Sequence, residues 1–379
     1  MKFLFASDSF KGTISSARTA ELLGEAAGEV FPDCRWESVE VADGGEGTTD
    51  AVIAALKGER VWRKVRGPLG NPVSACFGRI GENKAVLEMA AASGLPLLKE
   101  GERNPIQAST YGTGELILAA LEEGCLEIAV AIGGSATNDG GMGCLRALGV
   151  RFLDQSGNEL EGCGADLERV SAIDQSGLHP LISQAKFTVM CDVTNPLTGP
   201  DGATRTFGKQ KGGTPETLDR LEAGMENYRI VLERTFGVDV NQIPGTGAAG
   251  GLGAALFLFL RAELKSGIET VLDLIHFDER LEGVSVVVTG EGRTDWQSAF
   301  GKVISGVGLR CQKKGIPVLA LSGGLGAGAD KLYGYGVTSM MTAVDGPMPL
   351  QEALARAEEL YRDAALRMFR ILQVGRQLT

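Results

Sequence analysis

The chain has 379 residues, 37 Lys+Arg against 48 Asp+Glu, 54 glycines and a formal net charge of −11. Its length fits two domains with a sizeable core. The acidic balance provides no broad basic field for a nucleic-acid backbone or an anionic membrane, so any anionic ligand must be held by local groups.

The chain reads as short apolar runs that end in Gly, Ser and Asp, most followed by a helix-like segment, which is the pattern of a parallel α/β sheet. Phe3 to Ala6 predicts a strand running into Ser7-Asp8-Ser9-Phe10-Lys11-Gly12, and Ser15 or Ser16 then caps a helix to about Val30. Ser38 to Ala42 predicts a second strand, closed by Asp43-Gly44-Gly45-Glu46-Gly47-Thr48 and followed by a helix over about Thr49 to Leu56. Val61 to Glu88 alternates apolar and polar residues around the turn Gly67 to Pro72, which predicts antiparallel strands. Ile128 to Ile132, Phe187 to Met190, Val284 to Val288 and Val318 to Leu321 are further strands, each with a polar or glycine-rich loop at its carboxyl end. Leu350 to Leu372 predicts an amphipathic terminal helix. The expected division is one domain over 1–60, 111–135 and 284–379 and a second over 61–110 and 136–283.

The longest apolar stretch, Ala254 to Leu260, falls short of the roughly 20 residues of a membrane span, and the start of the chain lacks the apolar core of a secretory signal. A soluble cytoplasmic protein is expected. Seven cysteines without a CxxC pair suggest inert thiols, and the two histidines, His179 and His276, are too few for imidazole metal sites or His-driven triads. Carboxylates, lysines and glycine backbone must carry any chemistry.

Ligands of open parallel sheets sit at the carboxyl ends of strands, so polar clusters repeated there count for more than the same residues elsewhere. Asp8, Asp43, Asp192 and Asp295 all follow predicted strands, as metal ligands and general bases of phosphoryl transfer often do. Asp192 and Asp8 are taken as catalytic, Asp192 as the base, with Asp43 and Asp295 as metal ligands. The plainer reading of each is a carboxylate that braces a turn. The glycine-rich Gly133 to Gly141 loop could cradle a phosphate or carboxylate through its backbone, which makes Gly133, Gly134, Ser135 and Asn138 binding candidates. Lys11, Lys209, Lys211 and Lys302 lie beside glycine turns and could neutralise phosphate oxygens; Lys11 is taken as catalytic, and Lys211 and Arg293 as phosphate-binding. Gly245-Thr246-Gly247-Ala248-Ala249-Gly250 fits GxGxxG but follows Pro244 rather than a clean strand, so Gly245 and Gly247 are read as contacts for a smaller anion, with dinucleotide binding as the competing use. No Walker A spacing and no protein-kinase motif set is present. A phosphotransferase fits these groups better than a redox enzyme.

The strings DSFKGT (8–13), ADGGEGT (42–48), YGTGELI (111–117), GGSATNDGGMG (133–143), CDVTNPL (191–197), PGTGAAGGLG (244–253) and TGEGRTDWQSAFGK (289–302) resemble the bacterial glycerate kinase type 1 family, in one order across almost the whole chain. The resemblance implies ATP- and Mg²⁺-dependent phosphorylation of D-glycerate, usually at the 2-hydroxyl. It also implies two α/β domains, one Rossmann- or flavodoxin-like with a parallel sheet and the other a mixed α/β domain inserted in it, with the active site in the cleft. Where relatives commonly read FGPQKGA, this chain has Phe207 to Gly213 with Lys209 in place of Pro, and Trp296 replaces a small residue after Asp295. The alternative, a nicotinamide-dependent oxidoreductase of a small hydroxy acid, would use the Gly245 segment. Homo-oligomerisation is left open.

Overall fold

A computed structural model describes residues 1–10 and 12–378; Lys11 lies outside the described residues. The chain forms two compact units, one of residues 1–43 and 268–379, the other of residues 44–267.

The first unit is built on five parallel strands in the spatial order Ser339–Thr342, Val318–Ser322, Val286–Thr289, Lys2–Phe5, Arg35–Ser38. The family resemblance implied a Rossmann- or flavodoxin-like parallel sheet, and the observed order is the flavodoxin-like one, reversing between Lys2–Phe5 and Val286–Thr289. Phe3, Phe5, Val286 and Val288 pack on one face against Leu23 of helix Ser16–Val30 and Tyr361 and Phe369 of helix Ala357–Gln377. Ala320 packs on the other face with Ile304, Leu332 and Val337. Ser15 caps the first helix by accepting from the Arg18 N–H.

Two local readings shift. The second strand is Arg35–Ser38, not Ser38 to Ala42, because its pairing with Lys2–Phe5 ends there. The apolar Val39, Val41 and Ala42 are buried as irregular chain that carries the backbone toward Asp43. The terminal helix is two helices, Leu350–Ala355 and Ala357–Gln377, separated at Arg356.

The second unit is built on a mixed six-stranded sheet in the order Glu263–Lys265, Lys186–Met190, Glu127–Ala131, Lys84–Glu88, Pro72–Ile80, Glu59–Arg66. The first four strands are parallel and the last two antiparallel. The hairpin closes at the expected turn, with Arg66 opposite Pro72 and Gly70 at φ 88°. Its core gathers Leu87, Val130, Val189, Tyr228 and Leu256 from strands and helices. Strand Glu127–Ala131 pairs with Lys84–Glu88 and Lys186–Met190, so residues 111–135 belong with this unit and not with the flavodoxin-like one; residues 44–60 join it too, and 268–283 leave it. The strand-then-glycine pattern of Ile128 to Gly134 occurs in both units, and only backbone pairing assigns it.

Among the described residues no helix is long and apolar enough to cross a membrane, and all seven cysteines are unpaired in disulfides.

Candidate active site

In the flavodoxin-like unit the loops after four parallel strands enclose a cavity of about 670 Å³. Asp8 and Ser9 follow the first strand, Glu291, Gly292 and Arg293 follow Val286–Thr289, Gly323 and Gly324 follow Val318–Ser322, and Ala343 and Val344 follow Ser339–Thr342. Asp43 and Lys302 complete its polar lining, and Met348, Leu350, Leu354 and Leu360 form an apolar wall.

The polar groups are mutually organised. Lys302 Nζ donates to Asp43 Oδ2 at 3.0 Å, and Asp8 Oδ1 accepts from the Ser9 N–H at 2.6 Å. Glu291 is buried and accepts from Thr294 Oγ1 at 3.1 Å. Burial pushes the Glu291 carboxyl up, while the Ser298 and Thr294 hydroxyls and the Lys302 charge work against that shift. Burial pulls the Lys302 ammonium down, but the surrounding carboxylates Asp43, Glu291 and Asp8 outweigh it and raise its pKa. Lys302 is therefore a charged group set among three acids. It was one of the glycine-flanking lysines of the sequence; Glu291 carried no signal beyond its place after a strand.

Asp295, expected as a metal ligand, caps a turn. Its Oδ1 accepts from the Gln297 N–H at 2.9 Å as the cap of the turn Trp296–Ala299, and its Oδ2 lies 3.6 Å from Arg293 Nε. Arg293 itself is exposed at the cavity rim.

In the second unit, strand Lys186–Met190 delivers Asp192 to the surface, where Oδ1 accepts from Ser266 Oγ and from the Gly267 N–H, each at 2.9 Å. The carboxylate is thus held in one orientation. The loop after Glu127–Ala131 exposes Gly133 and Gly134, the latter at φ 74°, where a side chain would be strained. Among the described residues the atom nearest to where a Gly133 Cβ would sit is Gly45 Cα at 3.7 Å.

The rest of that loop turns inward. Lys211 is only 1% exposed and donates to Ser135 Oγ at 2.8 Å and to the Thr137 carbonyl at 2.6 Å. Burial brings its pKa down to about 7, with Asp139 pulling the other way. Asn138 is fully buried, with Nδ2 donating to Thr204 Oγ1 at 3.1 Å. Asp139 accepts from the Thr110 N–H and hydroxyl and from the Gly141 and Gly143 N–H groups. Ser135, Asn138 and Lys211 are therefore internal braces of the loop, where the sequence suggested direct ligand contacts. Lysine beside glycine is the same signal whether the ammonium points outward or is swallowed by the fold.

Gly245 and Gly247 are also buried. A Cβ on Gly247 would lie 2.0 Å from the Pro196 carbonyl oxygen, and its N–H donates to the Asn195 carbonyl at 3.0 Å. The segment follows the turn Val240–Gln242 and leads through Ala248–Gly251 into helix Leu252–Leu260, so it lacks the strand-to-helix turn of a dinucleotide site. Its glycines permit close backbone packing behind the Asp192 loop. Gly250 likewise packs on the Thr137 carbonyl behind the Gly133 loop.

Comparison with known proteins gives a consistent picture. A family model described as the glycerate kinase family matches residues 3–373. A glycerate 2-kinase of Escherichia coli K12 is 43% identical over 376 residues, covering 99% of each chain. A glycerate kinase of Bacillus subtilis 168 is 42% identical over 360 residues, covering 95% of this chain and 94% of that one. A solved structure described as that of a glycerate kinase 2 from Salmonella typhimurium LT2 matches with TM-score 0.90 and 41% identity, over 100% of this chain and 99% of that one.

Proposed function

Because the chain belongs to the glycerate kinase family, we propose that it transfers the γ-phosphoryl group of ATP to the 2-hydroxyl of D-glycerate, releasing ADP and 2-phosphoglycerate. The observation that carries this reading is the match, over 99% of both chains, to a protein called glycerate 2-kinase. No feature of the Gly245 segment supports the nicotinamide-dependent alternative.

Phosphoryl transfer asks a protein for positioning and charge compensation more than for covalent chemistry, and this chain has those groups. Asp192, exposed and held by Ser266 and Gly267, takes up the proton of the attacking hydroxyl. The exposed backbone of Gly133 and Gly134 binds the glycerate carboxylate, while Lys211 behind it keeps the loop in shape. Lys302, in the cavity of the flavodoxin-like unit, compensates phosphate charge, and Arg293 at the rim adds to it. Asp8, in the loop after the first strand, orients the phosphate end.

The donor set suits Mg²⁺ arriving with the nucleotide. Among the described residues no three His, Cys, Asp or Glu side chains form a ready-made metal cage, but Mg²⁺ commonly takes only one or two carboxylates and completes its shell with phosphate oxygens and water. Asp8 and Asp43 would hold it. Bound there, it would neutralise the phosphate oxygens.

The test is ADP release on adding D-glycerate and ATP, with the product read by ³¹P NMR. A 2-phosphoglycerate signal is expected. Absence of glycerate-dependent ADP release would remove the activity, and 3-phosphoglycerate would remove the assigned position.

A further inference from the structure

We infer that the cavity of the flavodoxin-like unit is the nucleotide site, with the base against the apolar wall of Met348, Leu350 and Leu354, the triphosphate at Lys302, Asp8 and Asp43, and the base chosen by shape alone. This rests on the kinase reading and assigns its co-substrate a place.

Three observations carry it. The cavity's volume, about 670 Å³, lies within the range of sites that bury a ligand of nucleotide size. It lies where the strand order reverses, flanked by the loop of Asp8 and the loop of Glu291, which is where open parallel sheets take nucleotides. Its composition is divided in the way a nucleotide is divided. Lys302 and three acids form one cluster, whereas residues 348–360 line it with Met and Leu side chains. Leu350 is 72% exposed and Leu354 49% exposed, so two large apolar side chains of the wall stand open to solvent with a charged cluster in the same cavity. A flat aromatic base joined to a charged chain satisfies both at once. A small hydroxy acid would leave the leucines wet.

The wall also predicts selectivity. Its side chains provide no hydrogen-bonding group that could read the edge of a base. The nearby Thr13 hydroxyl already donates to the Phe10 carbonyl at 2.7 Å. An apolar surface discriminates weakly between ligands of one shape, whereas dedicated polar partners discriminate by orders of magnitude. Adenine and guanine nucleotides should therefore bind alike.

The experiment is equilibrium binding to the full chain with Mg²⁺, using a ribose-labelled fluorescent ATP displaced by ATP, GTP or inorganic tripolyphosphate. Leu354→Asp, at an exposed position where folding should survive, is expected to weaken ATP at least tenfold and leave tripolyphosphate unchanged; Leu350→Asp repeats the test. Lys302→Met should weaken both ligands. GTP should compete within tenfold of ATP. Unchanged ATP affinity in both leucine variants would overturn the site, and a larger preference for ATP would overturn selection by shape. A wild-type protein that binds nucleotide in this way but makes no phosphoglycerate would overturn the kinase reading and leave the site standing.

Discussion

Lys302 and Asp43 stand 259 residues apart in the chain, yet the ammonium of one lies 3.0 Å from Oδ2 of the other. The pair joins the loop after Ser298 to the chain following the second strand, and it puts a compensated cation in a cavity that also holds Asp8 and Glu291.

Removing that cation should be felt in catalysis. Lys302→Met leaves three acids facing the incoming phosphates, so kcat/KM for ATP should fall at least tenfold, about 1.4 kcal/mol of transition-state stabilisation. Lys302→Arg should restore part of it. Steady-state kinetics at saturating glycerate would show this, and wild-type values in Lys302→Met would exclude the role.

Asp192→Asn offers a cleaner separation. The asparagine Oδ1 can still accept from Ser266 Oγ and Gly267 N–H, so the loop should hold while the proton acceptor is lost. The expected loss in kcat is about 10²- to 10⁴-fold, with ATP affinity kept. An unchanged kcat would reject the base, and rescue by raised Mg²⁺ would point instead to metal binding.

Gly134→Val and Ser135→Ala should both harm the loop, by different routes. The first forces a β-branched residue into φ 74° with Ala90 Cβ only 3.3 Å from the new Cβ, and its main effect should be a raised KM for glycerate. The second removes an acceptor from the buried Lys211 ammonium, which should cost about 1–3 kcal/mol of stability. Denaturant midpoints and KM values together distinguish the two.

Lys211 should also give stability a pH slope. An unfolded lysine keeps its proton to about pH 10.4, whereas burial brings the folded group down to about 7. Between these values the unfolded chain binds more protons, so this group's contribution to folding stability rises with pH across that window, by at most about 1.4 kcal/mol per pH unit. Lys211→Met should lose the slope. Parallel unfolding curves for wild type and variant, each at neutral and alkaline pH, are the measurement, and identical pH dependence would contradict a buried ammonium.

Activity should require a divalent cation, since a triphosphate must be brought beside Asp8 and Asp43. Excess EDTA is expected to abolish ADP release, with recovery on adding Mg²⁺. Full turnover in EDTA would sink the assignment.

Much of this was legible in the chain. The parallel strands, a serine cap at Ser15 or Ser16, the hairpin at Gly67 and the placing of Asp8 and Asp192 beyond strand ends all follow from hydrophobic periodicity and turn chemistry, which are local properties. The family strings carried the reaction class, and the comparisons bear that out. Residues 111–135 could not be assigned to the right sheet, because a strand's partners are chosen by non-local backbone hydrogen bonds.

The sequence by itself determined which residue types could do chemistry and which loops would hold them: an acidic chain with two histidines must work with carboxylates, lysines and glycine backbone at strand ends. Only the tertiary structure decided which of those groups face outward. Lys302 lines a cavity while Lys211 is buried beneath a loop, and Gly133 is exposed while Gly247 lies against the Pro196 carbonyl. Each pair looks alike in one dimension because local composition records only conformational freedom and charge. Burial depends on what distant segments pack above them, and that is what leaves one lysine lining a cavity and makes the other a brace.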